Sequence, residues 1–215
     1  MKNTVFFDLD GTLTDPGEGI TNSAAYALRK FGLDVATREE LYSFIGPPLD
    51  FSFHEFWGLS QEDAVLAVKY YRDYYAVHGI FENTLFDGIE DLLAALRKRG
   101  KKIVLATSKP EYYARLILEH FGIDKYFDAI CGGSMDEKRN KKDEVIAYAL
   151  EESKTDASDA VMVGDRRYDI EGAKANKMIS IGVLFGYGDR AELEGAGADT
   201  IAADVKELEK ILLEI

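Results

Sequence analysis

The sequence predicts a doubly wound α/β fold, a parallel sheet with helices on both faces, interrupted by an inserted helical domain. Three observations carry this. Short apolar runs rich in β-branched and aromatic residues recur along the chain, helix-period segments separate them, and the alternation fails in one place. With 215 residues, the length fits one domain with an insertion or two unequal domains.

The first run is Thr4 to Leu9. Lys102 to Thr107, Asp128 to Cys131, Ala160 to Val163, Ile179 to Leu184 and Asp199 to Ala202 follow. They read as strands buried on both faces. Between them, Ile89, Leu92, Leu93 and Leu96 mark one helix face and Leu116, Ile117 and Phe121 another, closed by Gly100 and Gly122 at C-cap positions. After the first run about seventy residues pass without a strand pattern. They carry two helical stripes, Ile20, Ala24, Ala27, Leu28 and Phe31, then Ala64, Val68, Tyr71 and Tyr75. Residues 16–82 are therefore expected to form a helical domain inserted into a core made of 1–15 and 83–215. Asp15-Pro16-Gly17 and the segment near Asn83 are the expected hinges.

Acidic residues number 39 against 26 basic, a net charge of -13, which repels a nucleic-acid polymer. The densest basic run, Lys138, Arg139, Lys141 and Lys142, directly follows Asp136 and Glu137. A lone Cys131 forms no internal disulfide, in keeping with a cytoplasmic location. Val5-Phe6-Phe7 is cut at once by Asp8 and Asp10, so no secretory signal is expected. The longest apolar stretch, Met178 to Gly186, falls far short of the ~20 residues of a membrane helix, and no membrane partner is expected. A monomer or weak homodimer is expected.

The chemistry gathers at strand ends. In Asp8-Leu9-Asp10-Gly11-Thr12, alternate residues of an extended chain share a face, so Asp8 and Asp10 can converge while Gly11 permits a sharp turn. Val161-Met162-Val163-Gly164-Asp165 is a second buried strand ending in a carboxylate. A helix starting near Arg167 turns Asp169 toward the same place. Carboxylates so gathered repel one another and call for a cation, and oxygen ligands without His or Cys favour a hard ion such as Mg²⁺. Thr107-Ser108-Lys109-Pro110 ends another strand, and Lys142 stands just before a helix starting near Asp143. A hydroxyl and an ammonium there suit phosphoryl oxygens.

These four segments, in this order, resemble the motifs of the haloacid dehalogenase superfamily of phosphotransferases. The likeness is to the branch with a helical C1 cap after the first strand, similar to phosphoglycolate phosphatase-like enzymes, and it spans nearly the whole chain. It implies a Rossmann-like core in which Asp8 attacks phosphorus to form an aspartyl-phosphate. Asp10 would protonate the leaving oxygen and later deprotonate water. Mg²⁺ would be held by Asp8, the Asp10 backbone carbonyl and Asp165, with Asp169 ligating directly or through water. Thr107 would hydrogen-bond the transferring phosphoryl group. For the catalytic lysine, Lys141 and Lys142 are adjacent; Lys142 is chosen because Lys-Asp-Glu-Val-Ile resembles the family's lysine-plus-helix start. Substrate-binding candidates are Thr107, Ser108, Lys109 and Gly46 of the cap.

The expected activity is Mg²⁺-dependent hydrolysis of a small phosphorylated metabolite. A nucleoside 5'-monophosphate is placed ahead of phosphoglycolate or a sugar phosphate. A phosphomutase of the same superfamily and a non-catalytic binding protein of the same fold are the alternatives. Gly186-Tyr187-Gly188 lacks the third glycine of a dinucleotide fingerprint and reads as a loop. His54, His78 and His120 are scattered, and Cys131 reads as a buried structural thiol. Tyr42, Phe44, Phe51, Phe53, Phe56 and Trp57 surround Ile45-Gly46-Pro47-Pro48. They read as bundle packing, with nucleobase stacking as the alternative. From Gly17 to Glu82, ten acids against five bases disfavour strongly anionic leaving groups such as pyrophosphate.

Overall fold

A computed structural model describes residues 2–136 and 138–215. It divides into two compact units, one made of the residues up to Thr14 plus Leu85–Ile215, the other of Asp15–Thr84.

In the larger unit six parallel strands form one sheet: β1 (Thr4–Phe7), β4 (Lys102–Pro110), β5 (Ala129–Gly133), β6 (Ala160–Gly164), β7 (Ile179–Val183) and β8 (Thr200–Ala202). Their order is β5-β4-β1-β6-β7-β8. Two short strands, β2 (Thr14–Asp15) and β3 (Thr84–Leu85), pair separately where the chain leaves and re-enters this unit. The register sets Phe7 opposite both Leu105 and Val163. Successive strands run outward from β1 on one side and from β6 on the other, so the crevice of the sheet opens at the carboxyl ends of these two neighbours.

Period-two alternation divides the strand residues between the faces. Phe6, Val104, Ala106, Ala160 and Met162 form one buried cluster with Val145, Ile146 and Ala149 of helix Lys142–Ser153 and Ala173 of helix Arg167–Ala175. Cys131 belongs to this cluster. Val5, Phe7, Ile103, Leu105, Val161 and Val163 point the other way and are equally buried. Apolarity on both faces is what made these runs near-continuous in the sequence. Helices Ile89–Lys98 and Glu111–His120 are followed by Gly100 and Gly122 at φ +74° and +66°, the left-handed conformation that ends a helix at low cost.

The smaller unit holds helix Gly17–Arg29, which buries Ile20, Ala24, Ala27 and Leu28, and helix Gln61–Tyr74, which buries Ala64, Val68 and Tyr71. Ser60 caps the second helix by accepting the Asp63 N–H at 3.1 Å. Between them lie short helical turns over Glu39–Phe44, Leu49–Phe51 and Ser52–Phe56. The aromatics there divide into two sets. Phe44 and Phe53 are buried with ring centroids 4.7 Å apart, whereas Phe51 and Phe56 pair edge to face while half exposed.

Phe6 is fully buried on the central strand. Phe6→Ala is expected to cost about 3–5 kcal/mol of stability, read as a lower urea midpoint, whereas Val77→Ser on the exposed surface should stay within about 0.5 kcal/mol. A loss under about 1 kcal/mol at Phe6 would contradict this account of the core.

Candidate active site

The site is built where β1 and β6 end side by side. The Asp8 N–H donates to Val163 O at 3.0 Å, which carries β1 one residue past its last paired position and fixes Asp8 against β6. The chain then folds back on itself, with the amides of Leu13 and Thr14 both donating to Leu9 O. Gly11 stands at φ +81° inside this turn, and a Cβ there would lie 2.2 Å from an Asp165 oxygen.

Carboxylate atoms of Asp8, Asp165 and Asp169 lie within 4.8 Å of one another, and all three residues are buried. Asp165 follows β6; it accepts the Tyr187 N–H on Oδ2 at 2.8 Å and the Thr12 hydroxyl on Oδ1 at 3.3 Å. Asp169 lies in the first turn of helix Arg167–Ala175, where Oδ2 accepts the Arg166 N–H at 3.1 Å. Gly164 lets Asp169 come in, since a Cβ there would meet its carboxyl carbon at 2.1 Å.

Lys142 enters the cluster from the first position of helix Lys142–Ser153. Its ammonium lies 2.8 Å from Asp8 Oδ1 and 2.8 Å from Asp169 Oδ1, and donates to Ala106 O at 3.3 Å. Lys141, in extended backbone before the helix, is exposed. Helix geometry thus separates two adjacent lysines that the sequence leaves close to equivalent. Gly172, on the neighbouring helix, makes room for the lysine stem: a Cβ there would sit 2.9 Å from Lys142 Cγ.

Thr107, Lys109 and Asp10 form the adjoining part. The β4–β5 register shifts between Thr107 and Pro110, and bulges of this kind re-aim side chains at a strand end. Thr107 is buried and its hydroxyl accepts the Lys109 N–H at 3.3 Å. The Lys109 ammonium lies 2.5 Å from Asp10 Oδ2, in an ion pair of which both members are largely shielded. Lys109, expected among the substrate-binding residues, engages Asp10 in this structure. Ser108 supplies a main-chain carbonyl beside Gly133. The Asp10 carboxylate is paired with Lys109 and is not one of the three clustered carboxylates. Gly46 lies in the Asp15–Thr84 unit at φ +105°.

Burial first, then the charges of Asp169 and Asp8, raises the Asp165 pKa well above its ordinary value, against the opposing Tyr187 hydrogen bond. Burial also raises Asp169, to about 6, with Lys142 pulling down and Asp8 pushing up. For Lys142 burial alone would lower the pKa, but Asp169 and Asp8 outweigh it and the ammonium is held above its ordinary range. One cation does not balance three buried carboxylates, and the surplus negative charge on hard oxygen donors fits a divalent ion such as Mg²⁺. Cys131 takes no part in this: burial, then Glu111 and Glu152, pushes its thiol up to about 12.

Sequence reasoning did not assign the main-chain donor at Tyr187, the passage at Gly172 or the bulge after Thr107. The glycines at 172, 186 and 188 were the available signal for the first two.

The family model for haloacid dehalogenase-like hydrolases matches residues 5–183. A 5'-nucleotidase of Pseudomonas aeruginosa is 42% identical over 208 residues, covering 97% of this chain and 94% of the relative. The tyrosine-protein kinase PtkA of Mycobacterium tuberculosis is 41% identical over 212 residues, covering 97% of this chain and 72% of that protein. A crystal structure of a predicted phosphatase from Clostridium acetobutylicum has 49% identity and a TM-score of 0.96, with both chains fully covered. The chain belongs to the haloacid dehalogenase-like hydrolase family and is, in reaction class, a phosphoric monoester hydrolase.

Proposed function

We propose that this protein hydrolyses a small-metabolite phosphate monoester through an aspartyl-phosphate on Asp8, with a nucleoside 5'-monophosphate as the favoured substrate. The observation that carries the reading is the Lys142 ammonium seated between Asp8 and Asp169, with Asp165 beside them. The similarity to a 5'-nucleotidase along nearly the whole chain supports the choice of substrate. A cytoplasmic location accompanies this reading; among the described residues no helix is long and apolar enough to cross a membrane.

An oxygen of Asp8 attacks phosphorus and the ester P–O bond breaks, while Asp10, carrying a proton once Lys109 has turned from it to the phosphoryl oxygens, gives that proton to the departing oxygen. Water then attacks the aspartyl-phosphate and loses a proton to Asp10, releasing phosphate and restoring the Asp8 carboxylate. Lys142 keeps Asp8 oriented, and the Thr107 hydroxyl, with the Ser108-Lys109 segment, holds phosphoryl oxygens. Mg²⁺, held by Asp8, Asp165, the Asp10 carbonyl and Asp169, would supply positive charge to offset that of the phosphoryl group. Lys109 adds a second ammonium beside Asp10, so the site carries more positive charge than Lys142 alone provides.

A phosphate-release screen over nucleoside monophosphates, sugar phosphates and phosphoglycolate, with and without Mg²⁺, tests the reading. Free phosphate supports hydrolysis; an isomerised sugar phosphate without release supports a phosphomutase, and Mg²⁺ binding without turnover of any ester supports a non-catalytic protein.

Asp8→Asn should reduce turnover to background with an unchanged circular dichroism spectrum. Asp10→Asn should lower kcat by about 10²–10⁴-fold. With p-nitrophenyl phosphate, whose leaving group needs no proton, it should still show a stoichiometric burst, because dephosphorylation is then the impaired step. The raised pKa values of Asp165 and Asp169 mean that the metal-free fold binds more protons than the unfolded chain. Metal-free stability should therefore fall as pH rises through about 6. Mg²⁺ competes with those protons, so its stabilisation should be greater at pH 7.5 than at pH 5, reaching about 2.7 kcal/mol at a hundredfold excess over Kd. Thermal unfolding at the two pH values with and without Mg²⁺ checks both signs.

A further inference from the structure

The loop that follows β7 does more than connect it to helix Arg190–Ala196. We infer that Gly186-Tyr187-Gly188 is a positioning element for the Asp165 carboxylate, holding it in the orientation in which it meets a divalent cation. The inference rests on the proposed metal role of Asp165.

Asp165 is fully buried with carboxylate atoms of Asp8 and Asp169 within 4.8 Å, and a carboxylate so placed favours any rotation that relieves repulsion. Two donors oppose this, one on each oxygen: the Tyr187 N–H on Oδ2 and the Thr12 hydroxyl on Oδ1. The first requires the loop backbone to lie directly on the residue it serves. A Cβ at Gly186 would stand 2.2 Å from Gly11 O and 2.4 Å from Asp165 Cβ, and one at Gly188 would stand 1.9 Å from Asp165 O. Two of these three contacts are with main-chain oxygens rather than the end of a flexible side chain. Any larger residue at either position must therefore push the loop, and the Tyr187 N–H with it, away from Asp165.

The loop is fastened at both ends. Before it, the Leu184 N–H donates to Ala202 O at 3.0 Å and the Phe185 ring packs edge-on against Phe86, centroids 5.3 Å apart. After it, Asp189 caps the next helix by accepting the Glu192 N–H at 2.7 Å. Glu192 in turn accepts the Arg166 Nε–H and the Arg167 N–H, both at 2.9 Å, which ties that helix to the segment just beyond Asp165. A donor anchored in this way meets the carboxylate without reorganisation, as outer partners of metal ligands do.

The test is Mg²⁺ titration calorimetry on the full chain in four forms: unmodified, Asp165→Asn, Gly186→Ala, and a form in which the Tyr187 amide is replaced by the isosteric ester, deleting only the N–H. Gly186→Ala and the ester are expected to weaken Mg²⁺ binding by about 10–100-fold while the circular dichroism spectrum is retained. If Asp165→Asn binds Mg²⁺ as tightly as the unmodified chain, the metal reading fails and this inference falls with it. If Asp165→Asn weakens binding but the ester and Gly186→Ala stay within about twofold of the unmodified chain, the positioning role alone is overturned. Should the altered chains fail to fold, hydrogen exchange in the unmodified protein decides: slow exchange at the Tyr187 amide supports the inference, and exchange at the rate of an open amide overturns it.

Discussion

One ammonium buried between two carboxylates is the interaction on which the rest of the site depends. Without Lys142, Asp8 and Asp169 would each lose the ammonium they share and face one another and Asp165 directly. Breaking a buried pair by removing one partner typically costs 3–5 kcal/mol, because the remaining charge stays buried and unpaired. The arrangement is incomplete in charge: a single lysine lies between two of three buried acids, a donor set that could hold a divalent ion.

The sheet explains why these groups meet. Asp8 and Asp165 leave adjacent strands, Lys142 begins a helix that crosses from β5 to β6, and Asp169 lies in the first turn of the helix after β6. Each group comes from the first residues beyond a strand or the first turn of a helix, where the backbone is still held by the regular structure. Positions on rigid elements hold functional atoms more tightly than positions on long loops. The exception is Lys109, which reaches Asp10 from the stretch of β4 after Thr107, where three residues on β4 pass for one on β5.

Much of this was legible in the sequence, for physical reasons. Strands buried on both faces are nearly continuous in apolarity, so Ala160 to Val163 and Ile179 to Leu184 announce themselves, and carboxylates at their ends stand out against that background. Residue type does not distinguish Lys141 from Lys142, since both are lysines; the turn from extended backbone into helix between them puts Lys142 against Asp8 and Asp169. The bulge in Thr107-Ser108-Lys109-Pro110 was invisible because strict alternation gives no hint of a register slip. Tyr187 was invisible for a different reason. It acts on Asp165 through a main-chain N–H, which every residue except proline carries, and only the flanking glycines betray how close the backbone must come.

The placement of Cys131 has a practical corollary. The chain's single thiol is locked inside the packing between sheet and helix, and its pKa near 12 leaves almost none of it as reactive thiolate at neutral pH. Alkylating dyes should leave the native protein unmarked. A cysteine introduced at an exposed position such as Val77 or Met135 would then be a selective attachment point for a fluorophore or spin label, with no need to remove the natural one.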